Sequence, residues 1–111
     1  MDHKTFAYDE FSDSLIISSR QENEVVRENF EVGDIIFSLT GKGKIVSIEI
    51  RGASSFLESC SINPGILKNL KNAELKIIPR KETIFIVMKI ESSEGTRILS
   101  REIPLILPLI R

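Results

Sequence analysis

Apolar and polar positions alternate most clearly over Ile45–Arg51, where Val46, Ile48 and Ile50 share one face and Ile45, Ser47, Glu49 and Arg51 the other. Period-two patterning of this kind predicts a half-buried strand with one face on the core. Ser14–Ser18, with Leu15, Ile16 and Ile17 behind the turn-forming Asp9, Ser12 and Asp13, predicts another strand starting near Asp13. Val25, Val26, Phe30 and Val32 form a pattern interrupted by Arg27, Glu28 and Asn29, which fits a short edge strand. Gly33-Asp34 punctuates the chain, Ile35, Phe37 and Leu39 line one face, and Thr40-Gly41-Lys42-Gly43-Lys44 supplies a glycine-rich hairpin turn.

Beyond Gly52 the period changes. Ala53–Cys60 fits about two helical turns with Ser54 or Ser55 near the N-cap. Asn63-Pro64 is a stronger start signal, because Asn caps and Pro suits the first helical position; Ile66, Leu67 and Leu70 then line an amphipathic stripe predicted to end near Asn72. Leu75, Ile77 and Ile78 up to Pro79 read as a strand, with Arg80-Lys81-Glu82 as its turn. Thr83–Glu91 is dense in β-branched residues, with Ile84, Ile86, Met88 and Ile90 on one face and Phe85 and Val87 on the other, so it is expected to be central and largely buried on both sides. Ser92–Gly95 turns the chain into an antiparallel return over Thr96–Ile103. The sum is an α+β fold: a mostly antiparallel sheet with one or two short helices, from the middle of the chain, packed on one face.

At 111 residues the chain has the length of one domain, residues 1–111, and 41% apolar residues, eighteen of them Ile, furnish its core. Fifteen Lys and Arg against sixteen Asp and Glu leave a formal charge of -1, which argues against a sequence-independent nucleic-acid binder. One cysteine, Cys60, excludes an intramolecular disulfide, and one histidine, His3, excludes a His cluster or a His/Cys zinc site within one chain. Met1–Tyr8 carries Asp2, His3 and Lys4 and no apolar stretch, and no apolar run nears the roughly 20 residues of a membrane helix, so a cytoplasmic protein without a membrane segment is expected. Abundant Ile, Lys and Glu with a single Gln give a thermophile-like composition.

Tyr8-Asp9-Glu10-Phe11-Ser12-Asp13-Ser14-Leu15-Ile16-Ile17, followed about thirty residues later by Gly43-Lys44-Ile45-Val46-Ser47-Ile48-Glu49-Ile50-Arg51-Gly52-Ala53-Ser54, resembles the DUF2283 family. That family opens on tyrosine-aspartate, places an aspartate before a Leu-Tyr-Ile-like strand, and closes on Gly-Ile-Glu-Ile running into Ala-Ser. Ile16 stands where an aromatic is common, and Ser47 replaces the glycine before Ile48. The resemblance covers residues 4–57 and implies a β-meander leading into a helix, with no established reaction. Residues 58–111, a helix, further strands and an apolar tail, fall outside it.

Four residues are candidates for ligand binding: Tyr8, Asp9, Asp13 and Glu49. Paired carboxylates act as acid and base or hold a hard cation, and Tyr8 adds a hydroxyl. The competing and favoured reading makes Asp9 and Asp13 acceptors of turn N–H groups, Glu49 a solvated strand residue and Tyr8 a cover for the core. An enzyme would require Asp9, Asp13 and Glu49 to converge in one pocket, and no catalytic residue, metal or cofactor is assigned. Gly41-Lys42-Gly43-Lys44 lacks phosphate-loop spacing. Cys60 reads as a buried structural residue, and Lys42, Lys44, Lys68, Lys71, Lys76, Arg80 and Lys81 as an ordinary solvated surface.

Ile103, Leu105, Ile106, Leu107, Leu109 and Ile110 are six large apolar residues within eight positions, costly if left exposed. Pro104 and Pro108 suit an edge or an extended arm. Either the chain's own sheet or a second subunit covers this stretch, so these six are interface candidates. The expected role is a non-catalytic structural or interaction module that self-associates, most simply as a homodimer. The alternative is an antitoxin-like or regulatory partner of another small protein.

Overall fold

In the computed structural model, which describes residues 6–104, eight strands are divided between two antiparallel sheets. The first contains β1 (Phe6–Asp9), β2 (Ser14–Ser18), β3 (Val26–Val32), β4 (Ile35–Thr40) and β5 (Ile45–Arg51), in the spatial order β1-β2-β5-β4-β3. Helix α1 (Ala53–Ser59) and a 3-10 helix (Pro64–Asn69) follow, and β6 (Leu70–Pro79), β7 (Thr83–Ser92) and β8 (Gly95–Pro104) form the second sheet in sequence order. The antiparallel α+β architecture expected from the sequence is therefore present. Within the first sheet the order departs from a simple meander, since β2 pairs with β5 and β3 lies at the far edge. Burial explains the arrangement: β3 is polar and largely exposed, while β5 buries Val46, Ile48 and Ile50 and so belongs beside the buried Leu15 and Ile17 of β2.

The two sheets share one apolar cluster. From the first sheet come Leu15, Ile17, Ile35, Phe37, Ile48 and Ile50; from the second, Ala73, Ile84, Ile86, Met88, Ile90, Leu99 and Ile103; and Ala53, Leu57, Ile62, Ile66 and Leu67 complete it from the helical link. The closest approach of the sheets is made by β6 to β2 and β1. Phe30 stacks on Phe37 across β3 and β4 at 4.9 Å between ring centroids.

Local chemistry sets the turns. The Thr40–Lys44 segment is the expected hairpin: Thr40 N donates to Lys44 O, and Gly43 adopts φ 83°. Asn63 caps the 3-10 helix by accepting from Gly65 N at 2.8 Å. The stripe expected to remain helical to Asn72 ends sooner, because Leu70 turns extended and pairs with Ser92, giving ten residues of β6 against β7. Strand β7 is central, as expected, with Ile84, Ile86, Met88 and Ile90 buried. Its other face is only half-buried at Phe85 and Val87 and exposed at Lys89, because no strand or helix of the described fold packs on that side.

Phe6–Asp9 adds a strand ahead of the one expected to start near Asp13, since Phe6 and Tyr8 pair with Ile17 and Leu15 and pack against the core. Ile103, a candidate for a partner interface, is 6% exposed and pairs with Ile84 inside this chain's core. Leu105, Ile106, Leu107, Leu109 and Ile110 lie outside the described residues.

Leu57 is the fully buried anchor of α1. Replacing it with Ala removes its transfer energy and leaves a void, so Leu57→Ala is expected to lower the free energy of unfolding by about 3 kcal/mol in urea titration.

Candidate functional site

Of the four residues singled out in the sequence, the structure brings two together and adds a third. Tyr8 extends from β1 on the core side of the sheet, opposite Leu15. Asp13 ends the turn that leads into β2, at φ 56°, a left-handed conformation that Asp tolerates better than most residues. The Tyr8 hydroxyl donates to Asp13 Oδ1 at 2.6 Å. The same oxygen accepts from Ser54 Oγ at 2.9 Å, and the Ser54 backbone N–H reaches the carboxylate at 3.1 and 3.2 Å.

These contacts cap helix α1 from 41 residues away in the chain. Gly52 occupies the N-cap position at φ 68° and has no side chain to offer, which corrects the assignment of Ser54 or Ser55 to that role. The first-turn N–H groups of a helix have no partner within the helix. Here the Ala53 N–H donates to the Asp13 carbonyl at 2.9 Å and the Ser54 N–H to the Asp13 carboxylate, so a single residue satisfies both. Gly52 makes this geometry accessible, because the chain must leave β5 through a left-handed residue for the helix to meet Asp13.

The electrostatics follow from the bonds. Donation from Tyr8, and secondarily from Ser54, holds the Asp13 carboxyl below its ordinary range despite the opposing effect of burial. Burial, followed by the bond to Asp13, raises the Tyr8 phenol above its ordinary value. Asp9 stands apart. It is exposed, accepts from Ser12 Oγ at 2.6 Å, and is held below its ordinary range by that bond.

Glu49 lies on the opposite face of the sheet. It pairs with Ile16 and Ile36, whereas Tyr8 shares the core side with Leu15 and Ile50. Asp9, Asp13 and Glu49 therefore do not converge, and among the described residues no group of three or more His, Cys, Asp and Glu side chains stands close enough to hold a metal ion. Ser54 is the member that the sequence reading missed as a ligand of Asp13. Its signal was the Ala53-Ser54 pair that closes the family-like pattern. Cys60 is half-buried rather than enclosed, its Sγ accepting from Arg101 Nη2 at 3.1 Å. The candidate basic residues are dispersed: Lys44 pairs with Glu24, Lys68 with Glu10, and Arg80 lies over the Phe85 ring.

The lowered carboxyl of Asp13 carries a pH dependence of definite sign. The folded state binds its proton more weakly than the unfolded chain, so the stabilisation is complete above the ordinary value of 3.8 and is lost as pH falls through the lower, folded value. Asn retains both the left-handed tolerance and an acceptor oxygen but not the charge. Asp13→Asn is therefore expected to cost about 1 kcal/mol at neutral pH and to make stability fall less steeply below about pH 4, as measured by urea midpoints across the acid range.

No curated protein and no solved structure matches this chain significantly. A family model does match, and its span ends at Ser54, so that it encloses Tyr8, Asp13 and both helix-capping contacts. The first half of this chain, residues 5–54, thus matches the DUF2283 family, described as a protein of unknown function.

Proposed function

We propose that this protein is a cytoplasmic, non-catalytic interaction module that associates with a second copy of itself through the outer face of the β6–β7–β8 sheet. The observation that carries this reading is a diagonal apolar stripe on that face. Ile78 pairs with Phe85 across β6 and β7, Val87 follows two positions along, and Ile98 of β8 lies opposite Lys89, 68% exposed. Phe85 and Val87 are half-buried and none of the four belongs to the shared core. A clustered apolar face of this kind is a recurrent mark of an interaction surface.

A two-fold dimer suits the stripe, because each copy then buries the same residues on the other. Flanking charges give the face a polar surround: Arg80 lies 5.4 Å from the Phe85 ring centre, and Lys89 pairs with Glu91 at 3.5 Å. The interface candidates Leu105, Ile106, Leu107, Leu109 and Ile110 follow directly from the end of β8 and extend the same proposal. A structural rather than catalytic role is supported by the commitment of the Asp13 carboxylate to Tyr8 and Ser54. Among the described residues, no helix is long and apolar enough to cross a membrane.

Light scattering coupled to size-exclusion chromatography tests the reading. The full chain is expected at the mass of a dimer, and Ile98→Lys, which places a charge in the stripe without touching the core, at the mass of a folded monomer. A monomeric wild type, or a dimer that survives Ile98→Lys, contradicts it.

A further inference from the structure

On the core side of the molecule, where the β3–β4 turn, the end of β5, α1 and the end of β8 meet, lies a cleft of about 400 Å³. Its walls include Ile35, Ile50, Phe56 and Ile103 together with two arginines, Arg51 and Arg101. The volume falls within the range of roughly 300–1,000 Å³ common among small-molecule pockets, and a mostly apolar lining with a few polar groups is their usual composition.

The arginines are unusual in their partners. Arg101 is half-buried and forms no ion pair among the described residues: its Nη2 donates to Ser59 Oγ at 2.8 Å and to Cys60 Sγ at 3.1 Å, and its guanidinium lies 5.1 Å from the Phe56 ring centre. Arg51 pairs with Glu31 through Nη2 at 3.1 Å, while its Nε is enclosed and without an acceptor. A partly desolvated guanidinium without a carboxylate partner, as at Arg101, favours an anion more strongly than one in water. Asp34 and Glu102 also line the cleft, but both are exposed, so solvent screens their charges more than that of the half-buried Arg101.

We infer that this cleft binds a small apolar monocarboxylate, its carboxylate held by Arg101 with Arg51 beside it and its hydrocarbon body against Phe56, Val32 and Pro104. Guanidinium groups match carboxylates in shape and charge and bind them through paired hydrogen bonds. The site lies on the core side of the sheets and is independent of the outer stripe proposed for self-association.

The test is an NMR titration of the isotope-labelled full chain with hexanoate, beside the neutral hexanamide. Hexanoate is expected to shift the amides of Arg51, Gly52, Phe56, Arg101 and Ile103 in a saturable way, and hexanamide to bind at least about tenfold more weakly. Arg101→Gln is expected to weaken hexanoate by a similar factor, and Arg101→Lys, which keeps the charge, by less. Absent shifts in the wild type, equal binding of the amide, or indifference of a folded Arg101→Gln variant overturn the proposal. Acetyl-leucine carries the same group on a peptide end: weaker binding than hexanoate supports the free acid, and tighter binding overturns it in favour of a chain terminus.

Discussion

The fold depends on how the first turn of α1 obtains partners for its amide hydrogens. The helix starts directly beneath the end of β5, against a core in which Ala53 and Leu57 are buried, so these donors have restricted access to water. Asp13 supplies both acceptors, carbonyl for Ala53 and carboxylate for Ser54, and Tyr8 fixes the carboxylate from the other side. One side chain thereby joins β1, the turn before β2 and the helix that leads into the second sheet. Three positions quoted for the family-like pattern, with Tyr8 and Asp13 close in sequence and Ser54 lying 41 residues beyond Asp13, prove to be one hydrogen-bonded unit.

The strands were legible because their physics is local. Val46, Ile48 and Ile50, or Ile84, Ile86, Met88 and Ile90, announce a buried face by their spacing alone. What the periodicity did not carry was pairing order, because alternation says which face is buried and not which strand is adjacent; hence β2 beside β5 rather than β3. Helix ends were misplaced for a related reason. Ser54 has the chemistry of a cap, but Asp13 arrives through tertiary structure to perform it, and pairing with Ser92 draws Leu70 out of the helical stripe into β6. Among the candidate site residues, the Tyr8–Asp13 contact was within reach of a turn argument, whereas the separation of Glu49 follows from register, which places it with Ile16 on the outward face. The cleft arginines gave no sequence signal at all, since two arginines 50 positions apart have no local pattern.

The second sheet divides its chemistry by face. Its inner side completes the shared core through Ile84, Ile86, Met88, Ile90, Leu99 and Ile103, and at β8 turns polar with Arg101. Its outer side carries Phe85, Val87 and Ile98, with Arg80 over the Phe85 ring and no strand or helix of the described fold packed upon them. The proposed self-association uses the outer face of this sheet, whereas the proposed carboxylate site takes from it only the end of β8 and is otherwise built by the β3–β4 turn, the end of β5 and α1.

The claim that Asp13 completes helix α1 is tested most directly by amide hydrogen exchange at Ala53 and Ser54 in the wild-type chain. First-turn amides without acceptors exchange readily; capped by Asp13, both are expected to exchange only on the slow timescale of the buried strands. Exchange at either position as fast as in an unprotected turn would contradict the account.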